Sequence, residues 1–314
     1  MEEALYSQFG FFNTDLVRSA KKGDFLTSPE VSIYFGKILR NWINTSCNLN
    51  KIVEIGSGTG SLIEQIGIKE ITAIELSSTA REELINKGIM THTNVNELTL
   101  EKSELVFGNE ILDNIPCSIG IYRDKVWYEK VVAIQENSFS YDIKPIRNEE
   151  LDWINKNNIV PNEDHELEIQ VNIDKFLNTV IKKISPKNIL LFDYGYEQAN
   201  REKRKYNSFL RTYKNHHLSV DPIEDPGNID ITYDVNFSSL SRELKTLGYD
   251  VTLKLQRNFL LENGFDIIFD ELQEKYLVAE GMEKLKINSE LNGLKAIVDL
   301  NGLGGFYCLN AQKL

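Results

Sequence analysis

The chain has 314 residues, 41% of them apolar, with 47 acidic against 35 basic side chains and a net charge of −12. That composition supplies a packed core for one large domain or two small ones and excludes disordered, collagen-like and disulfide-scaffold proteins. The acidity opposes long-range attraction to nucleic acid and to anionic membranes; no apolar run approaches the roughly 18 residues of a membrane span; and Cys47, Cys117 and Cys308 form neither a zinc pattern nor a disulfide framework.

The N-terminus, MEEALYSQFGFF, begins acidic and shows no basic signal region, so a cytoplasmic, reducing setting is expected. Next, TSPEVS (27–32) reads as a helix start, with Thr27 and Ser28 ahead of a proline and Glu30 in the first turn. From 51 to 110, short apolar runs alternate with amphipathic stretches: KIVEI, SLIEQIGI, ITAIEL, STAREELINKG, SELVFGNE. Such alternation predicts βαβ units and a parallel sheet buried on both faces. Residues 119–146, rich in aromatic and β-branched side chains, predict antiparallel strands inserted beside that sheet. Helical periodicity near 166–184 precedes a strand, NILLFDYGY (188–196), that ends on Asp193; 197–235 is a charged, turn-rich excursion. The tail resumes alternation and closes with GFYCLN (305–310). The expected fold class is α/β, doubly wound and mostly parallel, Rossmann-like, with inserted antiparallel strands and a lid excursion. It forms a single domain over 1–314, with a core of about 48–116, 166–195 and 236–314 and insertions at about 117–150 and 196–235.

The strongest local signal is VEIGSGTGSL (53–62), a strand followed by Gly56, Gly58 and Gly60 on alternate positions. Glycines there permit a sharp turn and close backbone approach to a ligand. A dinucleotide fingerprint would place its third glycine at Ser61, and no Gly-Lys-Ser/Thr follows. The tighter spacing, headed by Glu54 and spanning Ser57, suits S-adenosyl-L-methionine, and Glu75 at the end of the next strand is placed to accept from ribose hydroxyls. The alternative is a plain βα turn with Glu75 as a helix cap.

Further motifs lie along the whole chain: GDFLTSPEVSIYFG (23–36), GNEILDNIP (108–116), LLFDYGY (190–196), FLRTYKNHHLSVDPIEDPGNIDITYDVNF (209–237) and QRNFLLENGF (256–265). In this order they resemble the MidA-like methyltransferase family, relatives of a mitochondrial arginine methyltransferase that assists complex I assembly. The resemblance implies a methyltransferase on a Rossmann-like sheet, S-adenosyl-L-methionine as cofactor, and a role for Thr27, Ser28 and Glu30 at the cofactor's methionine end. The chain departs from the family at Ser57 and Thr59, where Pro and Arg are usual, at Asn236, where Asp is usual, and in LNGLKAIVDL near the C-terminus.

Methyl transfer from a sulfonium is an in-line displacement that depends on positioning and on the fate of one proton. Asn109, Glu110, Asp113 and Asp193 are expected to converge at the carboxyl ends of the strands. Glu110 and Asp113 could hold a guanidinium, or could serve as helix-start charge. Arg211 and His216 could instead hold a small carboxylate acceptor. The expected partner is therefore a protein or small-molecule methyl acceptor, and a homodimer is compatible with the sequence. Asp221, Asp225, Asp230 and Asp234 read as turn residues, so no metal is expected. The run 201–217 interleaves bases with Tyr206, Phe209 and Tyr213, and reads as a solvated face in preference to a nucleic-acid surface.

Overall fold

The computed structural model describes residues 1–13, 26–99, 102–136, 138–203, 210–214, 217–218 and 221–314. These group into two compact units, one made of residues 1–14, 112–179 and 195–243, the other of 15–111, 180–194 and 244–314.

The second of these holds the βα pattern. Its strands are β1 (Ile52–Ile55), β2 (Ile71–Ile74), β3 (Met90–His92), β4 (Leu105–Asn109), β5 (Asn188–Asp193), β6 (Tyr249–Leu255) and β7 (Tyr307–Lys313). They form one sheet in the order β6-β7-β5-β4-β1-β2-β3. All pairings among β1 to β5 are parallel, and β7 runs antiparallel to both of its neighbours. β1 and β5 are buried along their full length, which explains their near-continuous apolar runs. From β1 the chain proceeds outward to β2 and β3, then returns to β4 on the other side, so the ends of β1 and β4 flank a topological switch point.

The helix Tyr34–Ser46 places Tyr34, Phe35, Ile38, Leu39, Trp42 and Ile43 on one buried face at 3.6-residue spacing. Phe35 and Phe259 each meet Phe192 of β5 edge to face at 5.2 Å, giving the core an aromatic centre. Between β6 and β7 the chain forms three helices, Gln256–Glu262, Phe265–Val278 and Gly281–Ala296. None of the described helices is long and apolar enough to cross a membrane.

In the other unit, Ser118–Arg123, Val126–Gln135 and Ser138–Pro145 are antiparallel strands, as the aromatic and β-branched composition predicts. They form a sheet of their own instead of extending the central one. The turn between the first two is two residues long, Asp124 and Lys125, both with positive φ, the hairpin geometry that matches strand twist. Their fourth partner is Glu166–Ile169, which pairs with Ser118–Ile121. The expected helix over 166–184 is thus corrected at its start: it begins at Val171, because Leu167 and Ile169 are spent on the sheet. A helix at Asn148–Lys156, not read from the sequence, packs Trp153 and Ile154 against Leu167 and Ile169. Within the excursion, Leu210–Lys214 pairs antiparallel with His217–Leu218 and Asp230–Tyr233.

Candidate functional site

The loop after β1 takes the conformation its glycines predict. Gly56, Gly58 and Gly60 have φ of +70°, +52° and +83°, in the left-handed region where side chains are strained. Contact adds to this: a Cβ on Gly56 would lie 2.3 Å from Cγ2 of Ile111, and one on Gly60 2.7 Å from Cδ2 of Leu84. The tight approach fixes the loop over the ends of β1 and β4.

Glu75, at the end of β2, does more than the ribose reading foresaw. Its Oε2 accepts from the Gly58 amide at 2.8 Å and its Oε1 from the Ser77 amide at 2.8 Å. Burial pushes its carboxyl up, and these two amides and Arg81 pull it back. The side chain therefore holds the middle of the glycine loop in place.

A cleft opens beside this loop, lined by Thr27, Glu30, Glu54, Gly56, Ser57, Gly58 and Asn109, all named from the sequence, and by Pro29, Thr59, Ser61 and Leu62, which were not. Thr27 occupies the N-cap position of Ser28–Val31, with the proline and Glu30 in its first turn as the helix-start reading expects, and makes no side-chain capping bond. The Ser61 hydroxyl donates to Glu30 Oε1. Ser28 is fully buried; Gln256 Nε2 donates to its Oγ at 3.0 Å and to the Ile297 carbonyl. This joins the TSPE and QRNF motifs, 228 positions apart in the chain. Gln256, not singled out in the sequence, holds Ser28 next to the lining residues Thr27 and Pro29. A lone glutamine between a strand and a helix carries no pattern of its own.

Glu110 follows β4 with φ +53°, an uncommon conformation for a residue with a side chain. Its Oε1 accepts from the Ser28 amide at 3.3 Å and from Asn109 Nδ2 at 2.9 Å, and its own amide donates to the Phe192 carbonyl of β5. Asp193, next in β5, is fully buried, and its Oδ1 accepts from the Tyr194 amide. Asn109, Glu110 and Asp193 thus stand together at the ends of β4 and β5. Asp113 belongs to the other unit, where it is buried and its carbonyl accepts from the Tyr233 amide.

Arg211 lies on Leu210–Lys214 and is ion-paired with Asp234, both side chains largely buried. His216, like Tyr206 and Phe209, lies outside the described residues. Asp221 and Asp225 close turns: Oδ1 of Asp221 accepts from the Ile223 amide and Oδ1 of Asp225 from Asn228. Asp230 accepts from Asn114. Among the described residues no group of three or more His, Cys, Asp or Glu could hold a metal ion.

Two buried oxygens in the cleft lack a hydrogen-bond partner among the described residues, Oε2 of Glu54 and Oδ1 of Asn109. Buried acceptors without donors are costly unless a ligand supplies the donors. S-adenosyl-L-methionine fits this set, because its ammonium and ribose hydroxyls are donors and its bulk needs close backbone approach. Burial also lifts the Glu54 carboxyl well above its usual range, against the nearby Ser57 hydroxyl, and Glu75 adds to the rise. With a folded value above the unfolded one, this group binds its proton in the native state first, so its contribution to stability falls as pH rises from about 4.5 through the raised value. Glu54→Gln is accordingly expected to stabilise the ligand-free protein at neutral pH and to flatten the dependence of its stability on pH above about 4.5, while weakening S-adenosyl-homocysteine binding. Denaturant titrations across that range, with calorimetry, check both.

A family described as S-adenosyl-L-methionine-dependent methyltransferase matches residues 36–253. The chain is 25% identical over 309 residues to the protein arginine methyltransferase NDUFAF7 homolog, mitochondrial, of Caenorhabditis elegans, covering 83% of this chain and 70% of that one. It is 25% identical over 300 residues to the NDUFAF7 protein of Rattus norvegicus, covering 81% and 67%. Among solved structures, a COG1565 superfamily member from Burkholderia thailandensis bound to S-adenosyl-homocysteine superposes with a TM-score of 0.85 at 21% identity, covering 99% of this chain and 86% of that one. A second COG1565 superfamily protein from that organism gives 0.82 at 22%, covering 99% and 85%.

Proposed function

The chain belongs to the S-adenosyl-L-methionine-dependent methyltransferase family, and on that premise we propose that its methyl acceptor is an arginine side chain of a protein. The observation that carries this reading is the charge of the cleft. Among the described residues its lining holds the acidic side chains Glu30 and Glu54, the latter favoured in its protonated form by burial until a ligand enters, with Glu110 bonded to the lining residue Asn109, and no Lys, Arg or His. Such a site suits a cation. The relatives, named as protein arginine methyltransferases, agree. A small carboxylate acceptor would call on Arg211, whose guanidinium is already committed to Asp234.

When bound, the cofactor supplies an electrophilic methyl group on a sulfonium. In this reading Glu54 and Asn109 accept from the cofactor's donors, Glu30 and the Thr27–Ser28 turn enclose its methionine end, and the glycine loop admits it closely. Glu75 acts on the cofactor through the loop it holds. Glu110 orients the acceptor guanidinium, which keeps its charge in proteins, so that one nitrogen lies in line while the proton it gives up leaves past the carboxylate. Asp193 is buried at the end of the neighbouring strand, its Oδ1 held by the Tyr194 amide. We also place the protein in a reducing cytoplasm, in keeping with three free cysteines, whereas the named relatives are mitochondrial.

The test is to incubate the protein with a protein extract and cofactor carrying a labelled methyl group, then hydrolyse in acid. Label in methylarginine is expected. Base-labile label, or label confined to small molecules, overturns the arginine reading.

A further inference from the structure

The other unit contains a second and much larger cleft, about 1710 Å³, whose described lining residues all belong to that unit. Nothing in the methyl-transfer reading uses it. Pockets for metabolites run to about 300–1,000 Å³, so this one is sized for a length of polypeptide.

Its chemistry is two-sided. One wall is the hairpin formed by Val126–Gln135 and Ser138–Pro145. Register sets Val132 opposite Tyr141 and Ile134 opposite Phe139, so these four share one face of the sheet. Val132 and Phe139 line the cleft and are 53% and 47% exposed, an apolar surface in the open. The rest is charged. Among the described residues the lining holds six carboxylate side chains against three from Lys and Arg. Two of those cations are already bound: Lys130 to Glu166 at 2.7 Å and Arg147 to Glu129 at 3.1 Å. Glu2 and Glu3, on the helix Glu2–Tyr6, and Asp221 stand exposed at the cleft.

We propose that this cleft docks a basic segment of the acceptor protein, with Val132 and Phe139 taking an apolar side chain and Glu2, Glu3 and Asp221 facing its Lys or Arg residues. The inference rests on the protein-acceptor reading above. An acidic rim around an apolar wall repels acidic segments and gives basic ones both steering and an anchor. It also gives the enzyme a way to select its acceptor by sequence context, which a lone arginine cannot provide.

The probe is a fluorescein-labelled twelve-residue peptide of arginine, glycine and leucine, followed by anisotropy on the full chain, with a peptide carrying glutamate for arginine as control. One variant is Glu2→Gln/Glu3→Gln/Asp221→Asn, which keeps the oxygen that accepts from Tyr141. A second is Val132→Ser/Phe139→Ser. A third removes three exposed charges from the other unit, Asp270→Asn/Glu274→Gln/Glu283→Gln. The arginine peptide should bind and the glutamate peptide should not. Both cleft variants should weaken binding tenfold or more, the third should stay within twofold, and all should bind S-adenosyl-homocysteine as the parent does. Absence of peptide binding, parental affinity in the cleft variants, or equal weakening in the third variant overturns the proposal. Methylarginine formed from extract with unchanged KM in the cleft variants would overturn it and leave the arginine reading standing, whereas label confined to small molecules would remove both.

Discussion

Gly56→Val is expected to abolish measurable S-adenosyl-homocysteine binding. The φ of +70° disfavours any side chain, a β-branched one most, and the new Cβ would fall 2.3 Å from Ile111 Cγ2. Relief requires either a new backbone path for the loop or a shift of Ile111, which directly follows Glu110. Either change moves Gly58 relative to the carboxylate that holds it. Strain of this kind costs about 1–3 kcal/mol, against a stability of about 5–15 kcal/mol for a whole domain, so the variant should still fold. Calorimetry gives the binding result, and a thermal melt shows that the fold survives. Binding within threefold of the parent would mean that the loop does not touch the cofactor.

Glu110→Gln is expected to lower turnover by about tenfold to a hundredfold, equivalent to about 1.4–2.8 kcal/mol of lost transition-state stabilisation. The amide oxygen can still accept from Ser28 and Asn109, so the local structure and cofactor affinity should persist. What disappears is the charge opposite a guanidinium. Arg211→Gln offers the contrast. It removes the ion pair with Asp234 in a largely buried position, so the expected loss is one of stability. Turnover per folded molecule should be retained. Single-turnover assays beside denaturant midpoints separate the two effects. The reverse pattern, with Glu110→Gln fully active and Arg211→Gln folded but inactive, would favour a carboxylate acceptor.

The βα half of the chain was legible because its signals are local. Val53-Glu54-Ile55 runs into three spaced glycines, and each demand for positive φ is met where the glycine stands. The residues that line the cleft were legible for the same reason, since TSPE, the glycine loop and Asn109–Glu110 all follow strands or open helices. Other features depend on partners that no window reveals. Glu166–Ile169 looks helical until Ser118–Ile121 is available to pair with it. Gln256 gains meaning only from Ser28. Glu75 was placed correctly at a strand end, yet its carboxylate spends both oxygens on backbone amides, a use that depends on how far the glycine loop folds back. Asp113 lies three positions from Glu110, but the chain passes from one unit to the other between them.

The position of β7 has a consequence for synthesis. It is the last described strand in chain order yet sits inside the sheet, with β5 on one side and β6 on the other. Until it emerges from the ribosome, β5 presents a bare edge of six residues and β6 has no partner at all. At about 5–20 residues per second, the roughly 120 residues between β5 and β7 take some 6–24 s to make. For that interval the nascent protein carries an apolar strand edge of the kind that recruits other chains. Chaperone demand and losses to aggregation should therefore concentrate in the interval between the synthesis of β5 and that of β7, and a ribosome stalled before residue 307 would hold a sheet that cannot close.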